Sequence, residues 1–331
     1  MKALLVANPN AGRLNGARLA AVSRLLRGMG VEVSELAGDS KEDSLAALRL
    51  ALSQASLEET RVIALGGDGT VNGMLPALIG TPFPLGIVPA GTLNALAGEL
   101  RIPRALEAAV AVAVNGRRRR IDVGVANGRA FAQMAGIGFD GAVVRSVVPA
   151  SNKKMFSPAV LARGLRLAAT YHSSRFVIKA GCETIEARAW LALVANASRY
   201  TYGICAAPGA RLDDGWLDLW LFESLSPRRT LGQVLALLTG QHSGSPGILR
   251  IRAQHMGIEA DPPAWVHVDG DAGGRTPMEF QVRPSSLTVM VPASPAVGWH
   301  APGASCATRT QVREIAISVG RMIPTPGLAY R

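Results

Sequence analysis

Residues 66–72 read Gly66-Gly67-Asp68-Gly69-Thr70-Val71-Asn72, behind the apolar run Val62-Ile63-Ala64-Leu65 and ahead of Val71, Met74, Leu75 and Leu78 at spacings of three and four. The pattern predicts a strand, a tight glycine turn and a helix start. Glycines let the backbone approach a ligand closely and take positive φ without a Cβ clash. The N–H groups of such a turn and of the helix start attract phosphate. Asp68 stands where a hydrated Mg²⁺ is expected beside that phosphate.

A chain of 331 residues suggests about two domains. Strand and helix patterns alternate over the first 120 or so residues, which predicts a mainly parallel sheet covered on both faces. Pro76 is expected to kink its helix. After Ile121 short strand-like pieces dominate, with turn signals between them, and only two helical stretches stand out, near Pro158–Tyr171 and Arg229–Thr239. That texture predicts an antiparallel, sandwich-like or barrel-like domain. The expected organisation is a three-layer α/β domain over residues 1–122, a β-rich domain over 123–298, and a tail over 299–331. The tail is read as loosely held around one helical patch, Gln311–Val319.

Net charge is +11, which favours an anionic partner (nucleotide, nucleic acid or acidic membrane surface) without choosing among them. A basic, Arg- and Ala-rich composition is equally a compositional bias. The run Arg117-Arg118-Arg119-Arg120 is read as a solvated turn. The three cysteines, Cys182, Cys205 and Cys306, have no C-x-x-C spacing, so neither a zinc site nor a disulfide framework is expected and a reducing cytosol fits. No signal peptide or membrane span is visible. A membrane role would be peripheral.

Two further small-residue loops follow strands: Asn8-Pro9-Asn10-Ala11-Gly12 and Pro89-Ala90-Gly91-Thr92-Leu93-Asn94. In an open α/β sheet such loops gather at the carboxyl ends of the strands, where ligands bind. Together with the Gly66 turn they form a candidate nucleotide cradle. No G-x-x-x-x-G-K-[ST] motif is present, and neither the protein-kinase motif set nor G-x-S-x-G occurs. The G-x-G-x-x-G at Gly136–Gly141 is read as a decoy, because no βαβ unit surrounds it.

Asn8-Pro9-x-x-Gly12, Gly66-Gly67-Asp68-Gly69-Thr70-x-Asn72 and Gly91-Thr92-x-Asn94, at these separations, resemble the diacylglycerol kinase catalytic-domain family, which includes bacterial lipid kinases, sphingosine kinases and ceramide kinases. The likeness continues through Asp122-x-Gly124, Asn127-Gly128, Phe131, Gly138-Phe139-Asp140, Val194-Ala195-Asn196, Ala207-Pro208, Leu212–Asp218 and Val268-Asp269-Gly270-Asp271. It covers roughly residues 1–293.

The resemblance implies an ATP- and Mg²⁺-dependent transfer of the γ-phosphoryl group to a lipid hydroxyl, in a cleft between the two domains. It implies nucleotide contacts from Asn8, Pro9, Asn10, Gly12, Gly66, Gly67, Asp68, Gly69, Thr70, Asn72, Gly91, Thr92 and Asn94. Asp68 would orient Mg²⁺ through water. Asp271 takes the place of the family's general-base Glu, one methylene shorter. Asp140 would face the acceptor, and Asp214, with the carbonyls of Arg211 and Trp216, would hold a second, structural Mg²⁺. The implied partner is a lipid at a membrane surface, with no nucleic acid; a homodimer is left open. Departures include Gly73 in place of an acidic residue, Gln133 in place of Asn, Ala95 in place of Asp, and Tyr202-Gly203 in place of a glycine-richer run. An NAD-kinase-like enzyme and a catalytically weak nucleotide- or lipid-binding regulator remain the alternatives.

Overall fold

The computed structural model describes residues 1–7, 16–36, 38, 40–147, 167, 171–200, 204–223, 226–293 and 313–317. The first domain runs β1 (Lys2–Ala7), α1 (Gly16–Gly28), β2 (Glu32–Leu36), α2 (Lys41–Ser53), β3 (Thr60–Gly66), α3 (Asp68–Leu78), β4 (Leu85–Pro89), α4 (Ala95–Glu99) and α5 (Leu106–Asn115). Its strands pair in parallel in the order β2-β1-β3-β4. β3 and β4 are buried almost throughout, which is why they read as unbroken apolar runs rather than as alternation. Pro76 lies within the last turn of α3, where its missing N–H removes one hydrogen bond from a helix about to end.

The second domain is strand-rich: β5 (Arg117–Ala126), β6 (Arg129–Phe131), β7 (Met134–Gly138), α6 (Phe139–Val147), β8 (Ser174–Ala180), β9 (Glu183–Ala195), β10 (Leu217–Glu223), α7 (Pro227–Leu238), β11 (Ile248–Ala253), β12 (His255–Asp261), β13 (Trp265–Val268), β14 (Asp271–Arg275), β15 (Met278–Val291) and β16 (Arg313–Ile317). It is sandwich-like with few helices. One apolar cluster forms around Phe131, Phe176, Leu219 and Phe280, and another around Trp190, Trp220 and Phe222.

Two long strands join the domains. β15 pairs antiparallel with β5 along both their lengths, with a break between Arg283 and Leu287, and touches β4 at Val289–Leu85. Asp122 fills the break: its carboxylate accepts from Ser285 N at 2.6 Å and Gly215 N at 2.7 Å. The expected 122/123 boundary therefore falls inside β5. Leu287, Val289 and Val291 pack in the first domain's core with Leu5, Ile63 and Leu85.

Four expectations need correction or placement. Residues 313–317 form a strand pairing parallel with β11, not a helix; a short patch of ambiguous period takes the conformation that the open edge of β11 offers. α6 is a helix that periodicity missed, since one glycine and three valines weaken its pattern. The stretch Pro158–Tyr171 lies outside the described residues apart from Leu167, which is helical, and Tyr171. Cys205 takes part in a disulfide, whereas Cys182 is a free, exposed thiol.

Candidate functional site

β3 ends on Gly66, and Gly67, at the cap position of α3, makes no side-chain cap to the first turn of that helix. Open N–H groups there suit an anion. Beside it, Ala90 N donates to Gly66 O at 2.8 Å. Asn94, in the left-handed region at φ 51, brackets Gly91, accepting from its N–H at 2.9 Å and donating to its carbonyl at 2.8 Å. A Cβ on Gly91 would lie 2.5 Å from Gly67 Cα, so the two glycine loops meet backbone to backbone. Thr70 Oγ1 is buried with no hydrogen-bond partner among the described residues. Ala7 at the end of β1, Ser40, Lys41, Gly69, Thr70 and Gly73 line a cavity of about 190 Å³. Asn8, Pro9, Asn10 and Gly12 lie outside the described residues; Asn72 lines the larger cleft described below, and Thr92 is an exposed residue of the Gly91 loop.

Asp68 opens α3 and faces the second domain. Its Oδ1 accepts from Leu96 N at 3.2 Å and from Gln133 Nε2 at 3.0 Å. Gln133 is itself set by Asp269, whose carboxylate accepts the N–H groups of Ala132 (2.8 Å), Gln133 (3.1 Å) and Met134 (2.9 Å). Burial pushes the Asp269 carboxyl up to about 6 despite those three donors, and the negative charge of Asp68 pushes the same way. The Asp269-Gly270-Asp271 turn is thus linked through Gln133 to the glycine turn of the first domain. A second tie lies alongside: Glu99 of α4 accepts from the Ser198 hydroxyl and from Arg199 N.

Asp271 heads β14 and is partly exposed. Its Oδ2 is shared by Arg129 at 2.8 Å and Lys41, the first residue of α2, at 3.1 Å. Asn72, Gly73 and Lys41 from one domain and Arg129, Val268, Asp271 and Arg283 from the other line an open cleft of about 620 Å³.

Asp140, at the start of α6, sits in a separate knot. Its Oδ2 lies 2.7 Å from His267 Nε2 and its Oδ1 3.3 Å from the Tyr200 hydroxyl. Gly270 N donates to His267 Nδ1 at 3.2 Å. Since that ring nitrogen accepts, the proton is on Nε2 and is donated to Asp140. A Cβ on Gly136 would fall 2.3 Å from both Asp140 Oδ2 and His267 Nε2, so only glycine admits the pair. The Gly136–Gly141 motif thereby spans β7 and the start of α6. The neighbours of β7 are antiparallel, in keeping with its reading as a decoy for dinucleotide binding.

The two expected metal positions differ in fit. Asp68 Oδ2 accepts no hydrogen bond among the described residues, which suits a water-mediated Mg²⁺. Asp214 does not fit. Its Oδ2 is 2.5 Å from Arg252 NH2 and its Oδ1 accepts from Trp216 N at 3.2 Å, so a guanidinium occupies the direction a cation would take. The Arg211 side chain turns to Asp213. No group of three or more His, Cys, Asp or Glu side chains among the described residues could hold a metal ion.

Two family models match in succession: the diacylglycerol kinase catalytic domain over residues 2–126 and the YegS C-terminal NAD kinase beta sandwich-like domain over 133–291. A diacylglycerol kinase of Mycobacterium tuberculosis is 31% identical over 302 residues, covering 88% of this chain and 95% of its own. The chain belongs to the diacylglycerol kinase family. A Bacillus subtilis diacylglycerol kinase is 29% identical, with 84% and 92% coverage. An uncharacterized Synechocystis protein is 30% identical over 70% of this chain, which spans only 54% of that relative. The crystal structure of a diacylglycerol kinase from Bacillus anthracis superposes with a TM-score of 0.68 at 21% identity, covering 88% of this chain and 97% of the other, and shows the fold. As a member of the diacylglycerol kinase family the protein is a kinase of the lipid-kinase superfamily, and a kinase family implies ATP as the phosphate donor. No helix among the described residues is long and apolar enough to cross a membrane.

Lys41, Arg129, His267, Tyr200 and Glu99 were not singled out from the sequence. Each acquires its place from a partner far away along the chain. Only His267, two residues before the Asp269-Gly270-Asp271 turn, carried a local signal.

Proposed function

We propose that this kinase transfers the γ-phosphoryl group of ATP, with Mg²⁺, to the hydroxyl of a lipid acceptor such as a diacylglycerol, phosphatidylglycerol or a sphingoid lipid. The observation that carries the reading is the hydrogen-bonded line from Asp68 through Gln133 to Asp269, which fixes the glycine turns and the Asp271 turn about one cleft. Phosphoryl transfer depends on positioning and charge stabilisation more than on covalent chemistry. The Gly67 and Gly91 loops would cradle the phosphates, and Asp68 would hold the metal, which offsets phosphate charge when bound. Asp271 would accept the proton as the acceptor oxygen bonds to phosphorus and the bond to ADP breaks. Lys41 and Arg129 position that carboxylate and add positive charge beside it. Asp140, fixed by His267 and Tyr200, is the acceptor-side polar contact.

The test is incubation of the purified full chain with γ-labelled ATP and either Mg²⁺ or a chelator. Mixed micelles of diacylglycerol, phosphatidylglycerol or sphingoid base are offered beside NAD, with products identified by mass. A phosphorylated lipid formed only with Mg²⁺ supports the proposal. Phosphorylated NAD alone, or no product with nucleotide still bound, overturns it.

A further inference from the structure

Helix α7 carries an apolar face that nothing in the described fold covers. Leu231, Leu235 and Leu238 are 60%, 56% and 58% exposed, and spacings of four and three align them along one side. The other large hydrophobics exposed among the described residues, Met1, Met29, Leu50 and Leu57, all lie in the first domain and form no such line. The helix cannot roll to hide its leucines, because the opposite face is anchored. Buried Gln233 accepts from Trp190 Nε1 at 2.7 Å and donates to the carbonyl of Pro246 at 3.1 Å, while Val234 and Leu237 pack on the Trp190–Phe222 core.

Charge names the occupant. Arg228 and Arg229 are exposed in the first turn, and α7 contains no acidic residue. Cations at a helix N-terminus oppose the helix dipole, so they gain from an anion outside the protein. A second copy of a chain with net charge +11 would set like charges against them. An apolar stripe beside arginines matches the boundary of an anionic bilayer, where leucines enter the acyl edge and guanidiniums meet lipid phosphates. Through Gln233 and Trp190 the helix is tied to Phe139, whose ring lies 5.8 Å from that of Trp190 and which precedes Asp140.

We propose that α7 seats the second domain on an anionic lipid surface, presenting the acceptor side of the cleft to the bilayer. The inference deepens the lipid-acceptor reading and rests on it, but its test needs no catalysis. The full chain is sedimented with vesicles of phosphatidylcholine alone and of phosphatidylcholine with phosphatidylglycerol. Binding is expected to the anionic vesicles and to weaken with salt. It should fall about tenfold or more in Leu231→Gln/Leu235→Gln/Leu238→Gln, while Arg228→Gln/Arg229→Gln loses the preference for anionic lipid. Leu235→Trp should shift its fluorescence to the blue and resist an aqueous quencher when vesicles are added, which tests the face without removing it. Wild-type binding by the triple variant, an unshifted Trp signal, or leucine-dependent self-association with unchanged vesicle binding overturns the inference. Failure to phosphorylate any lipid in micelles while docking persists would instead count against the lipid-acceptor reading.

Discussion

Gln133 donates from Nε2 to Asp68 Oδ1 at 3.0 Å, and this bond joins the second domain to the glycine turn of the first. A hydrogen bond to a charged group contributes about 1.5–3 kcal/mol. Gln133→Leu is therefore expected to lower kcat/KM for ATP roughly 10- to 100-fold and to lower Tm by several degrees. Steady-state kinetics beside calorimetric ATP binding check this; an unaltered kcat/KM removes Gln133 from the site.

Asp271 is held by Lys41 and Arg129, so its carboxylate is fixed although partly exposed. If it accepts the acceptor proton, Asp271→Asn should reduce kcat by about 10²- to 10⁴-fold and leave ATP binding intact. Asp271→Glu should retain activity within about tenfold, because the longer side chain keeps the carboxylate and both cations. Equal losses in the two variants would assign Asp271 a structural role only.

Gly91 and Gly73 make a contrast. A Cβ at Gly91 meets the backbone of Gly67, which cannot yield without moving the cradle, whereas a Cβ at Gly73 meets nothing within 4 Å. Gly91→Ala should cost about 1–3 kcal/mol and raise KM for ATP. Gly73→Ala, in the interior of α3, should stabilise by about 0.5–1 kcal/mol. Thermal unfolding with and without ATP separates the two effects.

Two buried groups oppose each other with pH. Asp269 is raised from 3.8 to about 6, so the native state holds its proton longer than the unfolded chain, and this contribution to stability falls as pH rises from about 4 to 6. His242, packed against Trp220 and Phe222, is lowered from 6.5 to about 4. The unfolded state binds the extra proton there, so its contribution rises with pH from about 4 to 6.5. Each is of order 3 kcal/mol. Denaturant unfolding across this window should show Asp269→Asn gaining stability with pH relative to wild type, and His242→Phe losing it. Parallel profiles would contradict the assignment.

Arg252 stands at the carboxylate of Asp214 and, through Nε, 3.2 Å from Asp218 Oδ1. Mg²⁺ is therefore expected to leave the Tm of wild type unchanged through this site. Arg252→Met should be destabilised by a few kcal/mol, since it leaves buried Asp218 with one cation fewer, and partly rescued by Mg²⁺. A Mg²⁺-dependent Tm in wild type that Asp214→Asn abolishes would restore the metal reading.

Strands, glycine turns and the α/β-to-β change were legible because each is written over a few consecutive residues. Gly66, Gly67 and Gly91 announce a close backbone approach wherever they occur. The Asp140–His267–Tyr200 knot was not legible. Its members are brought together by α6, β13 and a loop, and a buried histidine reads like any other in a strand. Asp214 shows the converse: its turn was readable, but the guanidinium facing it comes from β11, 38 positions away.

The passage of β15 back into the first domain bears on how the protein is made. Leu287, Val289 and Val291 complete a core that begins at Ala3, so the first domain leaves the ribosome lacking part of its own interior. At about 5–20 residues per second that domain waits on the order of 10–35 s for its final strand. During synthesis the unpaired edge of β4 and the apolar surface beside it are open to chaperones. An allele truncated just before residue 287 should therefore damage the fold of the first domain, although every residue of the glycine cradle is present.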